Sequence, residues 1–177
     1  NSDQGATYDE VYQYLINIIP EARVVRSHGT VQSGALMSFY SKNTQLQCDS
    51  TQFLPEMPNI RVLTHPTEYG EIKRIPIFWA DDYELLLKKR RWCPDWMLNI
   101  SGIKTLLFHP IHYYLNSGSL DTYRNLQKIH RDIKKVSPEI ISPYVNNTER
   151  GVKNLLDSIM NTGTLHKNSF TWMMDLF

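Results

Sequence analysis

Apolar residues recur at helical spacing in the first stretch of the chain. Val11, Leu15, Ile18 and Ile19 predict a helix over Tyr8–Ile19, which Pro20 ends. Ala22 to Arg26 is a short β-prone run that stops at the loop Ser27-His28-Gly29. Ser33 to Tyr40 reads as a second helix, with Leu36, Met37 and Tyr40 on one side, and Gln45 to Asp49 as a short strand. Pro55, Pro58 and Pro66 mark a long irregular stretch of the kind that often carries function. Ile75 to Trp79 is apolar and β-prone, with Pro76 suggesting a strand start or an edge, and it ends at Ala80-Asp81-Asp82. Ile103 to Phe108 is the clearest strand and ends at His109-Pro110. Helices are predicted over Leu120–Val136 and over Gly151–Met160, where Val152, Leu155, Leu156 and Ile159 share a face. The apolar tail, Ser169 to Phe177, is expected to dock on the body.

Strands therefore alternate with helices, which predicts an α/β fold with a mostly parallel sheet, open or closed into a barrel. In such folds functional side chains gather just beyond the carboxyl ends of the strands. Three predicted strand ends carry polar, ionisable residues: Arg26-Ser27-His28, Asp81-Asp82, and His109 with His112. That coincidence points to an enzyme.

Composition narrows the classes. The chain has 177 residues, which fits one domain, 1–177, able to bury a core without disulfides. A net charge of +1 argues against a nucleic-acid partner. The run Lys88-Lys89-Arg90-Arg91 follows three leucines and is expected to continue a helix into a solvated face. Cys48 and Cys93 have neither a metal-knuckle nor a disulfide-framework spacing; reduced thiols fit a cytoplasmic protein. No apolar run approaches the ~18 residues of a membrane span, and there is no signal peptide. The Asn-x-Ser/Thr matches at Asn99 and Asn146 are of a kind common by chance. The chain starts at Asn1 rather than Met, which is consistent with a segment of a longer protein.

Each candidate has a chemical and a plain reading. His109, after an apolar strand and before a stiffening proline, suits proton transfer near neutral pH, or it hydrogen-bonds a loop. His112 makes a His-x-x-His pair, which two ligands alone do not turn into a zinc site. Tyr113, Tyr114 and Asn116 suit a sugar surface or simple packing. Asp81 or Asp82 orients a histidine, or caps a helix through Tyr83 to Leu87. Arg26 clamps a carboxylate or forms a structural ion pair. His28 is a metal-ligand candidate or a loop histidine. Trp92 and Trp96 line a cleft or pack in a core. His65, His130 and His166 have no supporting context. No phosphate-binding Gly-rich loop, G-x-S-x-G elbow or H-E-x-x-H is present.

Three stretches in order, Pro20 to Gly29, Ile75 to Asp82 and Leu107 to Asn116, resemble the third, fourth and fifth motifs of polysaccharide deacetylases of the carbohydrate esterase family 4 type. More narrowly, they resemble a divergent branch associated with bacterial surface-polysaccharide synthesis. The resemblance runs from about Tyr8 to Met160 and implies part of a distorted (β/α) barrel with mostly parallel strands, its N-terminal strands missing from this chain. It implies a divalent metal, usually zinc, that activates water to remove N-acetyl groups from an amino sugar or polysaccharide. By that likeness His109 is the general acid, Asp82 or Asp81 its carboxylate partner, and Arg26 the holder of the catalytic aspartate. Leu107 and Phe108 shape the acetyl pocket, and Trp79, Tyr113 and Asn116 contact substrate. The family's base aspartate and main metal ligands are not in these residues and are expected upstream of Asn1, with His28 a weak candidate ligand here. A second reading is a non-catalytic carbohydrate-binding or assembly domain using Trp79, Tyr113 and Tyr114. A third is another metal hydrolase, such as a phosphodiesterase, using His109 and His112. Open strand edges predict self-association.

Overall fold

The structure is a computed structural model that describes residues 3–130, 132, 135–165 and 170–177. The chain divides into two compact units. The first comprises Asn1–Leu54, Ile60–Ile77 and Thr171–Phe177, and the second Pro55–Asn59 and Phe78–Phe170.

The first unit opens with helix α1 (Tyr8–Ile18), whose start is set by a capping box between Thr7 and Glu10. Strand β1 (Val24–Val25) and a 3-10 turn (His28–Thr30) lead into helix α2 (Gly34–Asn43). Ser33 caps α2 by accepting a hydrogen bond from the Leu36 amide. Strands β2 (Cys48–Asp49), β3 (Leu63–Thr67) and β4 (Gly70–Arg74) complete a four-stranded sheet in the order β1-β2-β4-β3. β1, β2 and β4 run parallel, and β3 returns antiparallel. The core packs Leu36, Met37, Tyr40, Leu46 and Ile72 together, with Tyr12, Val25 and Phe39 at its margin.

The hairpin β3–β4 corrects the expected irregular stretch. Pro66 sits inside β3, where the proline rule had argued against a strand. β3 is the edge of the sheet, and an edge position tolerates a residue with no N–H to give. Gly70 at φ 135° lets the chain leave the turn.

The second unit holds a two-stranded sheet, β5 (Ile77–Ala80) with β6 (Thr105–Leu107); β5 begins one residue before the unit does. Around it lie α3 (Asp81–Leu87), α4 (Asp95–Leu98), α5 (Pro110–Tyr114), α6 (Leu120–Ile129), α7 (Pro138–Ile141) and α8 (Val152–Leu165). Phe78, Trp79, Leu85, Met97, Leu115, Leu126, Val152 and Leu155 are among its buried apolar residues. The helix expected to Val136 ends at Ile129, and positions 131, 133 and 134 lie outside the described residues.

Strands are mostly parallel, as the alternating pattern predicts, but no closed sheet forms among the described residues, so the barrel is not seen. The antiparallel strand β3 ends one sheet, and Pro66 gives that edge no amide to pass on. One further expectation is corrected. The basic run does not extend α3: the helix stops at Leu87 and Lys88 turns left-handed at φ 54°. In the tail, Ser169 lies outside the described residues, and Phe170 and Trp172 are exposed, while Met173, Leu176 and Phe177 are half-buried in the first unit. No helix among the described residues is long and apolar enough to cross a membrane.

Candidate active site

The carboxyl ends of β5 and β6 bring one carboxylate and one histidine together. Asp81 follows β5 directly and opens α3, and His109 follows β6 and caps α5. Pro110 occupies the first turn of α5, where its lack of an N–H costs nothing and its fixed φ suits the helix. Phe108 supports this end by packing its ring 5.1 Å from that of Trp79.

Asp81 is fully buried and grips His109 twice. Its Oδ2 accepts from the His109 backbone amide at 2.7 Å, and its Oδ1 lies 2.6 Å from His109 Nδ1. Oδ1 also accepts from the Asp82 amide at 2.7 Å. A carboxylate facing Nδ1 holds the ring in one tautomer, with the proton on Nδ1. The His109 side chain keeps 36% of its exposure, so the pair has a dry end and a wet end. Asp82 points to solvent and accepts from the Tyr83 amide. The choice between two adjacent aspartates thus follows helix phase: Asp81, Glu84 and Leu85 share the buried face of α3, and Asp82 does not.

His112 lies beneath, 5% exposed, with its ring 5.8 Å from that of His109 and 5.3 Å from that of Tyr123. Its Nδ1 is 3.2 Å from Ser117 Oγ. Burial is the main cause that pushes its pKa below the ordinary histidine value, which keeps it neutral. Ser117 and Tyr123 carry no sequence signal of this role.

Among the described residues, Asp81, Asp82 and His109 form the cluster of metal-ligand type, their atoms within 4.8 Å of one another. The donor types suit a divalent ion. Both Asp81 oxygens already accept hydrogen bonds and His109 Nδ1 faces Asp81 Oδ1, so an ion taken here would compete with those contacts. His112 is outside the cluster. His28 is exposed in a 3-10 turn of the first unit and outside it too.

The remaining candidates are dispersed. Arg26 is exposed after β1 in the first unit and pairs with no carboxylate among the described residues. Leu107 and Phe108 are half-buried. Trp79, offered above as a sugar platform, is 1% exposed and donates through Nε1 to Glu84 at 3.1 Å, leaving no face to stack on. Asn116 is buried, and its amide is spent on the backbone of Asn146 and Glu149. Tyr113 donates to Asp157 at 3.2 Å, and Tyr114 is exposed. His166 lies outside the described residues.

Sequence reasoning missed a partly buried ion cluster beside the site. Glu84, fully buried, accepts from Arg91 at 2.8 Å, and Arg91 also reaches Glu56 at 2.7 Å. The Arg91 guanidinium lies 3.8 Å over the Trp96 ring. The basic run hid this arginine, because charge runs usually face solvent.

The model of a family described as WbmS-like polysaccharide deacetylase matches residues 1–127. No curated protein matches. A crystal structure from Bordetella bronchiseptica, of a protein assigned as a polysaccharide deacetylase involved in O-antigen biosynthesis, matches with a TM-score of 0.68 at 24% identity. The match covers 91% of this chain and 64% of that one, so this chain spans less than two thirds of its length.

Proposed function

The chain belongs to the WbmS-like polysaccharide deacetylases, and on that premise we propose that it serves to remove N-acetyl groups from an amino sugar or polysaccharide, with His109 as the proton donor. The observation that carries this is the double grip of buried Asp81 on half-exposed His109.

With Nδ1 turned to Asp81, Nε2 is the nitrogen that exchanges a proton with substrate. Cleavage of an amide needs a proton on the departing nitrogen, and an imidazolium supplies it near neutral pH. Asp81 stabilises that charged ring and fixes its orientation, as a buried carboxylate does in other acid–base pairs. His112 stays neutral below it and adds no competing charge. Leu107 and Phe108 shape the acetyl pocket, and Arg26 is the candidate clamp for a catalytic carboxylate. The family chemistry adds a divalent metal, zinc by the likeness noted above, which activates the attacking water when bound. An ion at the Asp81–Asp82–His109 cluster would compete with the Asp81–His109 contacts, and we expect its main ligands elsewhere.

The test is acetate release from N-acetylated oligosaccharides, with metal content measured in parallel. His109→Ala is expected to lower turnover about 10²–10⁴-fold and leave bound metal unchanged. Equal loss of metal would sink the proton-donor role. Sugar binding with no acetate release by the wild-type protein would favour the non-catalytic reading instead.

A further inference from the structure

Apart from the Asp81–His109 pair, the second unit carries two concavities that share a wall. One, of about 400 Å³, is lined by Arg90, Arg91, Trp92, Asp95, Trp96 and Arg150 among others. The other, of about 680 Å³, is lined by Tyr113, Tyr114, Glu149, Arg150, Lys153 and Asn154 among others. Arg150 lines both. Each volume falls in the range of small-ligand sites, about 300–1,000 Å³. Two such cavities in series suit more than one sugar ring.

Their charges are not alike in availability. Arg91 is saturated by Glu56 and Glu84, and it serves to hold the Trp96 indole in place. Lys153 is paired with Asp157 at 2.9 Å. Asp95 accepts from the Cys93 thiol at 2.9 Å. Glu149 is the one acid of the larger cavity, facing Arg150 and Lys153 among its lining residues. Arg90 and Arg150 have no carboxylate in ion-pair range among the described residues; Arg150 donates to the Ser158 hydroxyl at 3.3 Å. Two guanidinium groups without an acid partner, set among indole and phenol rings, are equipped to take an oxyanion and the ring that bears it.

We infer that the cavities that Arg150 lines form a groove for an acidic saccharide, with Arg90 and Arg150 holding its carboxylate or phosphate oxygens and exposed Tyr114 flanking its rings. The sugar part rests on the polysaccharide reading above; the charge rests on the two arginines. Part of the groove, residues 145–154, lies beyond the stretch that the family model matches.

Calorimetric titration of the 177-residue chain with three probes tests this. Hyaluronan hexasaccharide carries carboxylates, UDP-N-acetylglucosamine carries a diphosphate, and chitohexaose is N-acetylated and neutral. At least one anionic probe is expected to bind about 10–100-fold tighter than chitohexaose, and the stronger of the two identifies the oxyanion. The double variant Arg90→Gln/Arg150→Gln should bring that ratio close to one with an unchanged melting temperature. Loss of acetate release with the ratio intact would sink the catalytic reading and leave the groove standing. Equal affinities, no binding by any probe, or a preference that survives in the folded double variant would overturn the groove.

Discussion

Asp49 and Asp81 both stand at the carboxyl end of a strand and both are fully buried, yet their partners differ in kind. Asp49, in the first unit, takes the Arg74 guanidinium at 3.0 Å and the Thr51 hydroxyl, and Gln32 holds the far side of Arg74. Arginine keeps its charge at every accessible pH, so Asp49 faces a permanent cation. Asp81, in the second unit, takes a histidine, a side chain able to carry a proton to or from a substrate, and its ring reaches solvent. The same carboxylate is a bolt beside a fixed cation and a chemical partner beside a titratable one. Burial alone does not tell them apart; the partner's titration and its access to solvent do.

The largest expected effect bears on the chemical pair. Asp81→Asn should lower acetate release about 10²–10⁴-fold, because the amide no longer holds the Nδ1 proton or the imidazolium. Asp82→Asn, on the exposed side of the same helix turn, should change it less than about twofold. The reverse order would move the partnership to Asp82 and void the helix-phase argument.

The bolt should answer in stability. Arg74→Met leaves Asp49 buried and unpaired, at a cost of about 3–5 kcal/mol in urea unfolding. Adding Asp49→Asn should restore part of that loss. If Arg74→Met unfolds at the wild-type midpoint, Asp49 and Arg74 do not form the buried pair described here.

A smaller effect separates bolts by pH. The hydrogen bond from Arg91 pulls the Glu56 carboxyl from its ordinary 4.5 to about 2, with Lys89 adding to it. Between those values the unfolded chain holds a proton that the folded chain does not. The stabilisation is therefore complete above about pH 4.5 and is lost as pH falls toward 2. Glu56 is partly exposed, so the swing is about 1–2 kcal/mol after solvent screening. Glu56→Gln should flatten that acid limb; an unchanged limb would assign it to other carboxylates.

Much of the frame is legible in the chain. The apolar run that stops before His109-Pro110 marks a strand end, and β6 ends there at Leu107. The spacing of Val11, Leu15 and Ile18 marks α1, although Leu15 and Ile18 are exposed. The β3–β4 hairpin is hidden, because a proline within a run argues against a strand unless the run is known to be an edge. The sugar roles given to Trp79 and Asn116 fall to contacts with Glu84 and with the backbone of Asn146 and Glu149, none of which adjoins them in sequence.

By itself the sequence determined the alternation of strands and helices, the position of His109 at a strand end, and two adjacent aspartates at another. These are local properties, set by side-chain period and by proline's fixed geometry. Only the tertiary structure decided that Asp81 rather than Asp82 meets His109, that Arg91 leaves the basic run for two glutamates, and that Arg150 lines two cavities. Each of these depends on a residue far along the chain, and which distant groups meet is fixed by packing, which no local pattern encodes.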